Sequence, residues 1–210
     1  MRRLKYIPII HTGVEMGSLY GTVKAEYIRR HGVSKWQEHN RIIEDFWKGI
    51  RKKIFGLKLD YPKTRLYQDG LPVCGKEMNI LQELVKMGSP NHQILMELIQ
   101  LGAKLEGTED PNLLIEEYTC LKEASAHLED PKTKRKYQRL AGSLLQKRDS
   151  YMGQRIDKTL QEGETGLLFI GFSHRVNEKL PKEVEIEYII YRLPFREGLF
   201  PYAKENQGDS

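Results

Sequence analysis

Two histidines end short apolar runs, one near each terminus of the chain. Tyr6-Ile7-Pro8-Ile9-Ile10 leads into His11, and Leu167-Leu168-Phe169-Ile170-Gly171-Phe172 leads through Ser173 into His174. Each run reads as a buried strand of a mainly parallel sheet. Open α/β sheets bind ligands just beyond the carboxyl ends of their strands. An imidazole placed there can move a proton near neutral pH or ligate a metal. Two further strands end in acids: Thr64–Gln68 is followed by Asp69, and Ala103–Leu105 by Glu106, with Glu109 close behind. If the strands run parallel, histidines and carboxylates converge on one edge as a general acid/base set or a metal site. Carboxylates are also ordinary turn residues, and Asp69-Gly70 is a good turn pair in its own right. Glu15 and Ser18, in the loop after His11, are within reach of the same edge, and Ser18 serves equally well as a helix cap.

Arg148 adds a cation. Leu140, Leu144, Leu145, Met152 and Ile156 form one stripe of a long helix, and Arg148 stands in it, four residues after Leu144 and four before Met152. A guanidinium enters an apolar face only when paired, or else snorkels to the helix edge. Arg155, seven residues on, lies on nearly the same face. The stripe position predicts that Arg148 points into the pocket at that edge or pairs with Asp69 or a neighbouring Glu, and in a hydrolase it would stabilise developing negative charge.

The elements that must position these groups can be read along the chain. Strand Leu4–Ile10 is followed by a loop and helix within Gly13–Gly32. Ser34, with Gln37 as a capping box, then opens a helix through Phe55. A helix over Lys76–Lys86 precedes Ser89-Pro90, which caps another helix running to Leu101 and Gly102. Asp110-Pro111 and Asp130-Pro131 repeat that start, and the last of these helices either reaches Leu160 or breaks at Gly142 or Gly153. Val184–Arg192 alternates as a final strand at a sheet edge. The expected fold is α/β: a mainly parallel central sheet flanked by helices, with a helix-rich middle. One domain spans residues 1–203, with a helical lobe at about 76–130 inserted, and 204–210 is a polar tail.

Composition narrows the function classes. The chain of 210 residues has 30% charged and 39% apolar residues and no apolar run near membrane-spanning length. The basic start is followed by too short an apolar stretch for a signal peptide. Cys74 and Cys120 form no metal spacing, which suggests a reducing, cytoplasmic setting. The net charge of +5 raises nucleic acid as a partner, but the basic clusters Lys132–Lys136 and Arg51-Lys52-Lys53 lack interleaved aromatics and read as solvated faces. His31, His39, His92 and His127 read as surface residues, and no phosphate loop or nucleophile elbow is present.

Arg148-Asp149-Ser150-Tyr151-Met152, then Ile156 and Leu160, then Gly166 through Gly171-Phe172-Ser173-His174, resembles the closing segment of the TraB/Tiki/erythromycin-esterase/ChaN superfamily. There an Arg-containing helix precedes an apolar strand ending in Gly-x-x-His. The chain departs from the pattern at Pro8, where the first motif has Gly. It departs again at Asp69, where Glu is usual, and at Arg175-Val176-Asn177-Glu178, where a glycine-rich stretch often follows. The resemblance implies a compact, divergent member of a group whose members include metal-dependent proteases, ester-cleaving enzymes and a haem-binding branch.

Three readings are open. The first is a hydrolase of a small molecule or peptide, with His11 and His174 activating water or, with Asp69, holding a divalent metal. In that reading Arg148 is catalytic, and Glu15, Ser18, Glu106, Glu109 and Arg155 contribute to binding. Neutral imidazole would be needed, so activity would fall below about pH 6.5. The second is a ligand-binding or regulatory protein that keeps the fold without the chemistry, and the third, on net charge alone, is a nucleic-acid-associated protein. Substrate, metal and oligomeric state are left open, a homo-oligomer included.

Overall fold

The structure, a computed structural model, describes residues 1–15, 17, 19–126 and 131–191. Ser18, His127, Asp130 and the tail beyond Lys204 lie outside the described residues. The chain divides into two compact units. The first comprises Met1–Ile10 and Leu59–Ile189. The second comprises His11–Lys58 and, among the described residues, Ile190 and Tyr191. The segment 11–58 thus groups apart from the sheet, and the helices after residue 76 group with it.

The first unit is built on five parallel strands: β1 (Arg2–Ile9), β2 (Thr64–Gln68), β3 (Lys104–Glu106), β4 (Thr165–Gly171) and β5 (Val184–Tyr188). Their spatial order is β3-β2-β4-β1-β5, so β4 is central and β5 lies at an edge. The central strand is buried along Gly166–Gly171, which explains its continuous apolar run. Thr165 is in register with both Arg3 and Thr64, so β1, β2 and β4 start level. The residues after these strands are therefore delivered to one edge of the sheet.

Four helices complete this unit, counted after two in the other: α3 (Glu77–Lys86), α4 (Pro90–Gln100), α5 (Pro111–Ala126) and α6 (Pro131–Thr159). Two of the three cap-plus-proline signals are realised. Ser89 accepts the His92 amide at the start of α4, and Asp110 Oδ1 accepts the Asn112 amide at the start of α5. Helix α6 runs through Gly142 and Gly153 without a break. Gly153 is needed for a close approach: a Cβ there would lie 2.8 Å from the Lys179 carbonyl oxygen. Met152 and Ile156 of α6, and Leu160 just after it, pack with Leu4, Tyr6, Tyr67, Leu168, Ile170 and Val184 on one face of the sheet.

The second unit pairs α1 (Leu19–His31) with α2 (Val33–Phe55). Gly32, at φ 83°, makes the turn between them and takes the cap position expected of Ser34. Tyr27, Trp36 and His39 form a ring cluster, with Trp36 stacked on His39 at 5.5 Å between centroids. Arg51, Lys52 and Lys53 are exposed on α2, as a solvated face requires. Among the described residues, no helix is long and apolar enough to cross a membrane.

Candidate functional site

The site of interest lies at the carboxyl edge of the first unit's sheet and begins with Asp69. Its amide continues the ladder by donating to Phe169 O at 2.9 Å, and its Oδ2 accepts the Gly171 amide at 2.9 Å. The Asp69 carboxylate therefore caps the end of β4. Gly70 comes next at φ 77°, a conformation that favours glycine. That turn aims the Gly70 amide at Glu109 Oε1, 2.7 Å away.

Arg148 reaches this edge from the buried stripe of α6. Its Nε donates to Glu109 Oε2 at 2.6 Å, and its Nη2 donates to Glu109 Oε1 at 2.6 Å and to Asp69 Oδ1 at 2.8 Å. Nη1 donates to Glu117 Oε2 of α5 at 2.6 Å. The guanidinium is thus paired, not snorkelling. Burial works against its charge, but the Glu109 bonds and the charges of Glu109, Asp69 and Glu117 raise its pKa further above the ordinary arginine value. Glu109 is fully buried. Burial and the neighbouring Asp69 charge push its carboxyl above the usual range, against the pull of Arg148 and the Gly70 amide.

His174 closes the arrangement. The residues Gly171–His174 form a turn in which the His174 amide donates to Gly171 O. Tyr6 Oη donates to the His174 carbonyl at 3.3 Å. The ring lies between two carboxylates, with Nδ1 2.6 Å from Asp149 Oδ1 and Nε2 3.4 Å from Asp69 Oδ2. Asp149 Oδ2 also accepts the Arg175 amide at 2.9 Å, which fixes the acid as well as the turn. Burial disfavours the imidazolium, but the Asp149 and Asp69 interactions outweigh it, and the pKa is pushed up to about 9. His174 is therefore charged at neutral pH. This reverses the expectation of a neutral imidazole, because a ring between two carboxylates gains more from its proton than burial takes away.

The structure thus brings together Asp69, Arg148, His174 and Glu109 of the expected residues. Glu106 and Arg155 stand elsewhere. They pair with each other at 3.2 Å, Arg155 Nε donates to Gly107 O, and Glu106 and Glu164 both pair with Arg65. His11 and Glu15 belong to the second unit, where His11 Nδ1 lies 3.2 Å from Glu15 Oε2 and the Thr12 amide donates to the same oxygen. Among the described residues, no group of three or more His, Cys, Asp or Glu side chains that could hold a metal is found, and of the expected ligands Asp69 and His174 belong to the first unit and His11 to the second. His92 is buried at the start of α4, contrary to its surface reading, with Nδ1 2.8 Å from Ser89 Oγ.

Two members of the site escape a reading by strand ends, Asp149 and Glu117. Both carry a helical signal. Asp149 is spaced with Leu145, Met152 and Ile156, and Glu117 is four residues after Leu113 and three before the buried Cys120. An acid on the inner stripe of a helix needs a partner as much as Arg148 does. No family model, curated protein or solved structure matches the chain.

Proposed function

We propose that the protein is a hydrolase of a small molecule or peptide, in which His174 is the proton donor. The observation that carries this reading is the His174 ring held between Asp149 and Asp69 at the carboxyl edge of a parallel sheet. The short Nδ1–H bond to Asp149 fixes the ring's orientation. Nε2 faces Asp69 at a longer distance and is the nitrogen with a proton to give. The imidazolium donates that proton to the leaving oxygen or nitrogen as water attacks the carbonyl carbon. Asp69 accepts the proton released by the water and returns it to the ring. Arg148 holds Asp69 and Glu109 in place. It is a positioning residue here, since its hydrogen bonds go to carboxylates of the chain itself. No step is routed through a metal, because the donor set does not fit one.

The resemblance of the Arg148–His174 segment to the TraB/Tiki/erythromycin-esterase/ChaN superfamily supports a hydrolytic reading, and the two free cysteines accord with a cytoplasmic one. The runner-up is a ligand-binding or regulatory protein without chemistry. It is favoured by the engagement of Arg148 with the chain's own acids, to three of which it makes four hydrogen bonds. A panel of ester, amide and peptide substrates separates the two. We expect turnover on at least one, with His174→Asn slowing it by about 100-fold or more, the scale of a lost acid/base group. Activity should hold at neutral pH and fall as pH rises through about 9, where the ring loses its proton. A wild type that turns over nothing, or equal rates for wild type and His174→Asn, favours the runner-up.

A further inference from the structure

Among the described residues of the first unit, three side-chain polar atoms are buried with no hydrogen-bond partner: Asn91 Nδ2, Asn91 Oδ1 and Gln68 Oε1. Asn91 is 0% exposed and Gln68 1%. A buried donor or acceptor left without a partner destabilises the fold, so an occupant that satisfies them is expected.

The two side chains share a layer. Tyr67 faces the α6 side of the sheet. Its neighbour Gln68, like Leu66, therefore faces the opposite side. Right-handed crossovers place the β2-to-β3 helices on that opposite side, because the chain moves outward from β2 to β3 and back inward from β3 to β4. On α4, Asn91 is spaced with Ile94, Leu95 and Leu98, all buried, so it heads the inward stripe of that helix.

They also share a level. Gly102, just past α4, approaches the Pro62 ring, just before β2, since a Cβ there would lie 3.6 Å from it. The end of α4 therefore meets the start of β2, and the helix runs back along the strand. Its 11 residues span about 16 Å, the length of about five strand residues, which brings its first turn level with the end of β2. Gln68 is the last residue of β2 and immediately precedes Asp69.

We propose that Asn91 and Gln68 form a buried site for a small neutral polar group that both donates and accepts hydrogen bonds. Two carbonyl oxygens need donors and one NH2 needs an acceptor. A carboxylate or phosphate supplies no donor, whereas water, a hydroxyl or an amide supplies both. The chemistry is shared by a resident water and by the amide or hydroxyl end of a bound solute. The site does not rest on His174 acting as an acid.

The test is side-chain amide NMR on the 15N-labelled full chain, with acetamide as the probe. The Asn91 and Gln68 amide protons should show cross-peaks to a long-lived water. If these persist under saturating acetamide, the occupant is resident water. If acetamide replaces them with a saturable shift at both side chains, the site is open to polar solutes. Asn91→Leu should also abolish the water contact at Gln68, and Gln68→Leu, read at Asn91, serves if the first variant does not fold. Neither a water contact nor a saturable shift at either side chain overturns the proposal. So does a Gln68 water contact that survives Asn91→Leu, or an Asn91 contact that survives Gln68→Leu.

Discussion

The first unit holds two ion networks, and they are built on different terms. One joins Arg65 and Arg155 to Glu106 and Glu164, two cations to two acids. The other joins Arg148 and His174 to Asp69, Glu109, Glu117 and Asp149, two cations to four acids. Side chains in the balanced network are 12–24% exposed, while Glu109, Asp69, His174 and Arg148 in the other are 0–7% exposed. A balanced, half-wet network needs nothing beyond itself. An acid-rich network in the dry edge of a parallel sheet raises the affinity of its histidine for a proton. The difference marks one as scaffold and the other as the candidate site.

Removing a cation from each network should separate them most widely. Arg148→Leu leaves Glu109 buried without its partner, and we expect a loss of about 3–5 kcal/mol in urea unfolding. Arg155→Leu should cost about 1 kcal/mol or less, since its partner Glu106 keeps Arg65 and the site is partly wet. Equal losses would erase the distinction.

The networks should also fail at opposite ends of the pH scale. The His174 pKa is raised from 6.5 to about 9, so its stabilisation is fully present below pH 6.5 and is lost as pH rises through about 9. The shift corresponds to about 3 kcal/mol, read as a decline in unfolding free energy between pH 6.5 and 10 that His174→Asn flattens. Glu164 behaves the other way. Burial opposes its charge, but Arg65 and the Gln161 amide hold its carboxyl below the ordinary 4.5. Its contribution is full above pH 4.5 and is lost as pH falls through the lowered value, and Glu164→Gln should flatten only that acid limb.

A more modest change is expected at Gly153. A Cβ added there meets the Lys179 carbonyl, so Gly153→Ala should cost about 1–3 kcal/mol by forcing α6 from the turn after His174. It should also lower the His174 pKa, because Asp149 sits one helical turn before Gly153. An alanine variant with an unchanged titration would show that the pairing does not depend on this approach. His11, whose side chain is 39% exposed, should matter least. His11→Ala should change stability by less than about 0.5 kcal/mol and leave the alkaline limb intact.

Much of this was legible in the residues themselves. The apolar runs before His11 and His174 and the Thr64–Gln68 segment located three strands of the parallel sheet, because a strand covered on both faces shows no alternation. Ser89-Pro90 and Asp110-Pro111 marked helix starts through cap chemistry that is local. Arg148 was legible as a candidate paired cation because a guanidinium in the stripe with Leu144 and Met152 must either pair or snorkel. Strand ends could not choose between Glu106 and Glu109. That choice depends on Gly70 turning its amide toward Glu109, which is a matter of tertiary register. Asp149 and Glu117 stand on inner helix faces, which the ends of strands do not mark. The neutral state expected of His174 failed for the same reason: its charge is set by Asp149, 25 residues earlier in the chain.

Everything distinctive about the acid-rich network turns on His174 being an imidazolium held between Asp149 and Asp69. An NMR titration of the His174 ring, in the wild type and in Asp149→Asn, measures this. We expect a wild-type pKa near 9 and a clear downward shift in the variant. A wild-type value at or below the ordinary 6.5, or one that Asp149→Asn leaves unmoved, would contradict it.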